Sequence, residues 1–401
     1  MSRLVKKIVL SLSVLVFAYV AMGYVMGKTN DDKTYRSLTV FSEVLDHVAH
    51  DYVEDPSLRQ VQAGALHGLL DSLDPQSSYL SPPEYADYKK KIDEKGKDGV
   101  GIALSKRFGY IVAVSVLPDS PAQKAGLHGG DILESISGFI SHDMSIGQAQ
   151  ILLSGEPGST VKVAVIRRTR GEPQDIDIVR AKMAAPKLIE ERMNGDIALL
   201  RVPAFEPGSA NQIREKLQQF EHQGAHKLIL DLRECALGQI SEAVSTAQLF
   251  LSSGTISTLK GQTVAAQNVS ADSSKVVWKE PMTVLISNGT AGPAEVLAAA
   301  IAGNHRGDAI GERTFGTASE QKVIPLDDGA ALILTVANYF TPAGKSIPAE
   351  GVLPTVEIRA QLEDSAQSGE QAVTQQSSPD DPVIKKAIEI LQSAAPQKRA
   401  A

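Results

Sequence analysis

The chain has 401 residues, of which 43% are hydrophobic and 22% charged, a globular composition that excludes a disordered or multi-span membrane chain. This length predicts two or three domains. The formal net charge of −7 offers no basic surface for nucleic acid. Cys235 is the only cysteine, so intramolecular disulfides are excluded, and no cysteine–histidine cluster has the spacing of a zinc site. We expect no metal and no other cofactor.

Residues 1–27 have the features of a membrane anchor. Three basic residues, Arg3, Lys6 and Lys7, precede an apolar run that as a helix would span about 30 Å, the thickness of the hydrocarbon layer of a bilayer. Basic flanks stay in the cytoplasm, so the rest of the chain is expected on the other side of the membrane. The alternative is a cleaved signal peptide, because residues 21–23 form a small-x-small triplet.

Two segments with different patterns follow. Residues 34–95 are expected to be helical, since apolar side chains recur at three- and four-residue spacing, as at Val40, Val44 and Val48. Residues 96–183 contain short β-rich runs separated by glycine, proline and aspartate turns. Two short helical patterns interrupt these runs. This segment predicts a compact β-rich domain with two small helices.

The second half of the chain alternates between strand and helix patterns. In residues 184–358 strand patterns alternate with helical patterns of ten or more residues, which predicts an α/β domain with βαβ units. Residues 359–401 are rich in glutamine, serine, alanine and proline, which predicts a mostly disordered tail. Only residues 382–391 of this tail have a helical pattern. The fold class is therefore α/β multidomain, with an N-terminal helical segment.

A glycine-rich stretch opens the β-rich domain. Gly99-Val100-Gly101-Ile102 can present successive backbone N–H groups to a carboxylate beside a strand edge that is free to pair with a peptide. Together with Ser120-Pro121-Ala122 and Gly130-Asp131-Ile132-Leu133, this stretch resembles a PDZ domain of bacterial proteases. The resemblance implies a peptide groove between the strand from Ile102 and a helix that carries Ile146, Ala149 and Leu153. The alternative is a PDZ fold that serves only as a spacer or lid.

Motifs along residues 36–358 resemble those of the carboxyl-terminal processing peptidases, also called tail-specific proteases. They are Leu73-Asp74-Pro75 through Pro82, Leu228 through Arg233, Gly311 through Gly316, Tyr339 through Ile347, and Gly351-Val352-Leu353-Pro354. The resemblance implies an exported serine peptidase with an α/β peptidase core that recognises protein C-termini through its PDZ domain. It also implies a Ser–Lys dyad with a supporting glutamine.

The dyad positions depart from the family pattern. The pattern G-[ST]-A-S-x-x-E falls on Gly289 through Glu295, so Gly292 stands where the family has its serine. The pattern T-[FY]-G-K-x-x-x-Q places Thr317 at the lysine position and retains the glutamine as Gln321. The N-P-G-G turn of the family, which contributes to the oxyanion hole, reads Cys235-Ala236-Leu237-Gly238. We therefore predict that the chain has no working dyad.

No substitute nucleophile or base is expected. Ser287 and Thr290 precede the helix start, and Ser319 has no base nearby in sequence. A lone cysteine beside a core strand, such as Cys235, is usually buried and inert. Two lysines near the motifs are expected to be solvated surface charges, Lys322 and Lys345.

These features predict an exported protein anchored in a bacterial inner membrane and facing the periplasm. It would be catalytically inactive and would bind protein C-terminal tails or a partner protease. One alternative is an active serine endopeptidase with an unaligned nucleophile. Another is a spacer or assembly subunit that binds no peptide.

Overall fold

The computed structural model of the chain describes residues 16–17, 31–93, 98–142, 144–167, 170–193, 195–348, 350–359 and 381–393. These residues divide into two units, one ending at Leu66 and the other beginning at His67. The predicted anchor in residues 1–27 lies outside the described residues except for Val16 and Phe17. None of the described helices is both long enough and apolar enough to cross a membrane.

Helices dominate the first described segment, as its apolar spacing predicts. The elements are α1 (Asp31–Asp51), α2 (Leu58–Asp71), β1 (Ser78–Leu80) and α3 (Pro82–Asp93). Pro82 begins α3, where a missing N–H is no loss. Glu84 accepts both the N–H and the hydroxyl of the preceding Ser81, at 2.8 and 2.6 Å, and so closes the first turn of α3.

A turn between α2 and β1 is organised by Asp74. Its carboxylate accepts the backbone N–H groups of Gln76 and Ser77, at 2.8 and 2.9 Å, in the way that aspartate commonly stabilises turns. It also accepts the hydroxyl of Thr335 at 3.0 Å, more than 250 residues later in the chain. The Leu73–Pro82 motif therefore attaches this turn to a distant strand.

The β-rich segment forms a sheet in the order β3-β4-β5-β7-β8, with β6 paired to β5, and a separate two-stranded sheet of β2 and β9. Its elements are β2 (Asp98–Gly99), β3 (Ile102–Arg107), β4 (Tyr110–Val116), α4 (Pro121–Lys124), β5 (Ile132–Ile136), β6 (Phe139–Ile140), α5 (Ile146–Leu153), β7 (Thr160–Arg167), β8 (Arg170–Val179) and β9 (Ala181–Lys182). The two predicted short helices are confirmed as α4 and α5. Ser145 and Gln148 form a reciprocal capping box at the start of α5, which explains why the helix begins there. Strand β3 lies at the edge of this sheet.

An α/β segment follows, and its main sheet has the order β10-β11-β13-β17-β18-β21. All neighbours from β11 to β21 pair in parallel, and β10 pairs antiparallel with β11. The elements up to the centre of this sheet are β10 (Ile189–Arg192), β11 (Ile197–Arg201), β12 (Ala204–Phe205), α6 (Ser209–His222), β13 (Lys227–Asp231), β14 (Leu237–Gly238), α7 (Ile240–Ala247), β15 (Thr255–Lys260), β16 (Gln267–Ser270), a 3₁₀ turn (Ser273–Lys275) and β17 (Met282–Ile286). The remaining elements are α8 (Pro293–Gly303), β18 (Asp308–Gly311), β19 (Ser319–Pro325), β20 (Ala331–Phe340), β21 (Val356–Glu357) and α9 (Pro382–Ser393).

A second, antiparallel sheet has the order β1-β20-β15-β16, with β19 also paired to β20. The motif strand β1 thus joins a sheet that the later part of the chain builds. The α/β architecture predicted from residues 184–358 is confirmed by the main parallel sheet. Helix α7 has 8 residues and ends at Ala247, so it is shorter than the ten or more residues predicted for the helices of this domain.

Both faces of the main sheet are buried, which explains the near-continuous apolar runs of its strands. On one face Leu228 and Leu230 join a large cluster that contains residues of α6, α7 and α8. On the other face Ile229 and its neighbours pack against α9, through Val383, Ile384, Ala387 and Leu391. The helix expected near residues 382–391 is therefore present and forms part of the core. Residues 360–380 and 394–401 of the predicted disordered tail lie outside the described residues.

Candidate functional site

The candidate site lies at the turn that joins β17 to α8. Gly292 occupies the residue before the helix with φ +54° and ψ −113°, a conformation that side-chain-bearing residues rarely adopt. A strained strand-to-helix turn of this kind is the usual setting of a nucleophilic serine in α/β hydrolases. Pro293 follows at the first helical position, where its fixed φ suits the helix and its missing N–H is tolerated.

Glu295 joins this turn to the segment that carries Thr317. One carboxylate oxygen accepts the hydroxyl of Thr314 and the N–H of Gly316, the latter at 2.6 Å. The other accepts the N–H groups of Thr317 and Gly292, at 2.8 and 2.9 Å. Burial raises the pKa of Glu295 above its ordinary value, although the four donors oppose the shift. The buried carboxyl group thus positions both parts of the site.

The positions aligned with the serine and lysine of the family are adjacent in space. The N–H of Gly292 donates to Oγ1 of Thr317 at 3.1 Å. A Cβ placed on Gly292 would lie 3.9 Å from that oxygen and 3.8 Å from the carbonyl oxygen of Ala236, which are ordinary contacts. The turn therefore has space for a side chain at position 292. Glycine has no nucleophile to offer, and a threonine hydroxyl cannot act as the base that a lysine amine would be.

The third residue of the implied catalytic set is Gln321, and its side chain forms a hydrogen bond with Ser319. Its amide donates to Oγ of Ser319 at 2.8 Å, and that hydroxyl donates to the carbonyl of Thr317 at 3.1 Å. Neither partner of Ser319 is a base, so these contacts do not activate its hydroxyl.

Two further potential nucleophiles, Thr290 and Cys235, are buried. Thr290 donates its hydroxyl to the carbonyl of Leu232 at 2.8 Å and accepts the N–H of Ser287 at 3.0 Å, which fixes the turn after β17. Cys235 is fully buried, and burial raises the pKa of its thiol far above the ordinary range. A buried thiol with a raised pKa is inert. Its burial is as expected from the sequence.

Strands β3 and β4 of the β-rich segment lie directly over the Gly292 turn. Ala103 and Val114 pack against Ala291, and three partly buried side chains surround this contact, Ala236, Leu237 and Phe315. The guanidinium of Arg107 lies 4.6 Å from the ring centroid of Phe315. This contact is not predictable from the sequence, because alanine and valine at strand positions do not indicate which surface they contact.

Gly129 and Gly289 leave space for the carboxylate of Glu234 where the β-rich segment meets the Gly292 turn. A Cβ on Gly129 of the β-rich segment would lie 2.1 Å from a carboxylate oxygen of Glu234, and one on Gly289 would lie 2.2 Å from the other. Glu234 follows β13 and has a positive φ of 57°. Its side chain therefore lies between the β-rich segment and the turn that leads to Gly292.

Five of the seven residues predicted to bind peptide belong to the hydrophobic cluster of the β-rich segment or pack against it. Gly99 pairs with Ala181 in the short β2–β9 ladder, and Gly101 has a φ of +80° that suits glycine. Ile102 is partly buried against the hydrophobic cluster of this segment. The remaining predicted residues are buried within that cluster, namely Val100, Ile146, Ala149 and Leu153.

Polar contacts join the N-terminal motif to the end of β3. Lys106 forms an ion pair with Asp71, and the side-chain amide of Gln76 lies 3.5 Å from Oγ of Ser105. On the helix side, the amide of Gln148 donates to Glu84 at 2.7 Å. No group of three histidine, cysteine or acidic side chains that could hold a metal occurs in the described parts of the chain.

Comparisons with known proteins agree with the motifs. Residues 196–358 match peptidase family S41. The carboxy-terminal-processing protease of Bartonella bacilliformis is 30% identical over 349 residues, which cover 86% of this chain and 80% of that protein. The carboxy-terminal processing protease CtpA of Bacillus subtilis is 28% identical over 347 residues, 86% of this chain and 72% of the relative.

A solved structure of a photosystem II D1 C-terminal processing protease has the same architecture. It superimposes with a TM-score of 0.67 at 26% identity and covers 80% of this chain and 92% of its own. The order of the sheets, the strand-to-helix turn at Gly292 and the sequence similarity thus lead to one assignment. The chain belongs to the carboxy-terminal processing protease family, within peptidase family S41.

Proposed function

We propose that this chain is a member of the family that has lost peptidase activity and binds protein C-terminal tails, or a partner protease, as an adaptor. The observation that carries the proposal is the contact between Gly292 and Thr317, 3.1 Å apart at the aligned dyad positions. Glu295 holds both segments in place through the N–H groups of Gly292 and Thr317. The two side chains that would perform the chemistry are absent.

Two further features support inactivity. In the family pattern the residue after the serine donates its N–H to the oxyanion, and Pro293 has no N–H to donate. Leu237 replaces a glycine of the oxyanion turn and packs into the apolar cluster at Ala291. Burial of Thr290 and Cys235 argues against the alternative of an endopeptidase with an unaligned nucleophile.

The binding part of the proposal assigns residues 96–183 as a PDZ domain and residues 184–358 as the peptidase-like core. Support comes from the edge position of β3, which leaves one side of this strand open to pair with a peptide, and from α5 beside it. The backbone at Gly101, with φ +80°, supports a carboxylate loop at the start of β3. Further support comes from relatives named as carboxy-terminal processing proteases.

Peptides with a free apolar C-terminus should bind the full-length protein, and amidation of that terminus should weaken binding about tenfold or more. The amide loses charge-assisted hydrogen bonds to backbone N–H groups, which contribute roughly 1.5–3 kcal/mol each. Fluorescence anisotropy with matched free and amidated peptides measures the difference. Equal affinity would remove the carboxylate loop from Gly99–Ile102, and no binding of either peptide would favour the spacer alternative.

Export is also proposed, with a single N-terminal anchor in the bacterial inner membrane and the remaining domains in the periplasm. The three basic residues and the apolar run of residues 8–27 support it. The protein should fractionate with membranes, and protease added to spheroplasts should digest the part after Lys28. Recovery of the whole population as a soluble species that begins near Tyr24 would instead identify a cleaved signal peptide.

A further inference from the structure

A cavity of about 300 Å³ lies between the end of β3 and the loop after β18. Its wall includes Arg107 from the β-rich segment and Arg313 and Phe315 from the core. Arg359 and Asn288 also line it. We call this space the arginine cavity. It adjoins the Gly292 turn through Phe315 but contains none of the aligned catalytic positions.

The cavity has cationic groups that are available for a ligand. Within the described part of the chain, neither Arg107 nor Arg313 has a carboxylate partner, and the Asn288 amide has no hydrogen-bond partner. Arg107 stacks over the Phe315 ring, which orients its guanidinium. Arg359 is different, because its Nε donates to Glu357 at 2.9 Å.

The charge balance indicates the kind of anion that fits. Among the described residues that line the cavity, three arginines and two glutamates, Glu312 and Glu357, leave one net positive charge. A single carboxylate matches this charge, whereas a doubly charged phosphate would lie close to two acidic side chains. Guanidinium groups bind carboxylates in a planar, two-pronged geometry. The chemistry therefore points to an aspartate or glutamate side chain.

The position of the cavity relative to β3 indicates where on a peptide that side chain would be. A tail that adds antiparallel to β3, with its carboxylate near Ile102, runs back along the strand towards Arg107. The strand has six residues, and at roughly 3.3 Å per residue the peptide covers about 17 Å before it reaches Arg107. Among the described residues of β3, Lys106 is already paired with Asp71, whereas Arg107 has no carboxylate partner.

We propose that the arginine cavity binds an acidic side chain located five or six residues before the C-terminus of a bound tail. The chain would therefore prefer tails that combine an apolar C-terminus with an upstream aspartate or glutamate. This preference rests on the proposed tail-binding function.

The test compares two peptides with the same free apolar C-terminus on the full-length protein. One peptide carries glutamate at the fifth and sixth positions before the last residue, and the other carries glutamine there. Anisotropy titrations at low salt should give about tenfold or more tighter binding of the glutamate peptide, and high salt should shrink this ratio. Equal affinities of the two peptides would overturn the cavity assignment while leaving tail binding intact.

Variants of the cavity arginines test whether these side chains produce the preference for the glutamate peptide. Arg313→Gln should reduce the ratio to below about threefold, and Arg107→Gln should do the same from the other wall of the cavity. Lys322→Gln is the matched control, because it removes one positive charge from an exposed position outside the cavity and should keep the ratio. A ratio that survives both arginine variants would overturn the proposal. Absence of binding by both peptides would remove the tail-binding function together with it.

Discussion

The double variant Gly292→Ser, Thr317→Lys is expected to remain at least about 10²-fold slower at tail-dependent cleavage than an active relative, although both dyad residues would be present. Loss of one oxyanion donor reduces the rate by about 10²–10³. At the proposed oxyanion site Pro293 has no N–H to donate, and Leu237 stands in the turn that would supply another donor. Each single variant should be inactive, because a serine without its base is barely nucleophilic.

The companion variant for this prediction adds Pro293→Ala to the double variant. It restores an N–H at the helix start, and cleavage of an unstructured tailed substrate should rise by about 10²-fold over the double variant. Pro293→Ala alone is the control and should show no cleavage. A double variant that already cleaves as fast as the triple variant would show that the missing N–H at position 293 has no effect.

Stability measurements on the same variants test the geometry of the turn. With φ +54° and ψ −113° at position 292, a side chain forces strain that glycine avoids. Such strain is of the order of 1–3 kcal/mol. Gly292→Ser should therefore lower the free energy of unfolding by about that amount, as measured in urea. A variant as stable as the wild type would contradict the observed backbone conformation.

Arg233→Ala is expected to lower the free energy of unfolding by about 3–5 kcal/mol, the effect of breaking a buried ion pair. Asp231 is fully buried, and Arg233 donates to both of its oxygens, each at 2.9 Å. Arg201 adds a contact at 2.8 Å. Arg233 also pairs with Asp381, directly before α9. The substitution thus leaves a buried carboxylate with one guanidinium and detaches the start of α9.

Arg192→Ala is the control for this prediction, because Arg192 is exposed and its guanidinium donates to the carbonyl of Gln223. Hydrogen exchange should show faster exchange of α9 amides in Arg233→Ala and unchanged exchange in the control. A loss of less than about 1 kcal/mol in Arg233→Ala, the level of an exposed pair, would contradict the buried network.

The same network predicts how stability depends on pH. Burial alone would raise the pKa of Asp231, but the Arg233 and Arg201 guanidinium groups hold it below its ordinary value. A carboxyl with a lowered pKa stabilises the fold above its unfolded pKa, near 3.9, and loses this contribution as the pH falls through the lowered value. The stability of Asp231→Asn should therefore fall less steeply below about pH 4 than that of the wild type. If the stabilities of the variant and the wild type fell equally below pH 4, the lowered pKa of Asp231 would be contradicted.

Local patterns in the sequence predicted the elements that carry the site. The motif from Leu228 to Arg233 contains most of strand β13, and Pro293 begins α8, at the first helical position that proline favours. The aligned positions of Gly292 and Thr317, 25 residues apart in sequence, are in contact. These predictions succeeded because strand and helix signals depend on neighbouring residues and because the motif register has no gap.

The contacts between distant parts of the chain could not be predicted in this way. Ala103 and Val114 read only as strand residues, and nothing in their spacing indicates that they cover Ala291. The docking of α9 follows from burial of Ile384 and Leu391 on a sheet whose other face is also covered. The pattern of residues 382–391 predicted a helix within a mostly disordered tail, and helical spacing alone does not show which surface such a helix packs against.

The most direct measurement incubates the purified full-length chain with an unstructured protein that has a free apolar C-terminal tail, and follows the substrate by intact-mass spectrometry. Our account predicts an intact substrate and no labelling of the chain by a serine-directed fluorophosphonate. Cleavage that requires the tail would contradict the loss of activity. Cleavage that also persists in the variants Cys235→Ala, Thr290→Ala and Ser319→Ala would show that a nucleophile outside the Gly292 turn performs the chemistry.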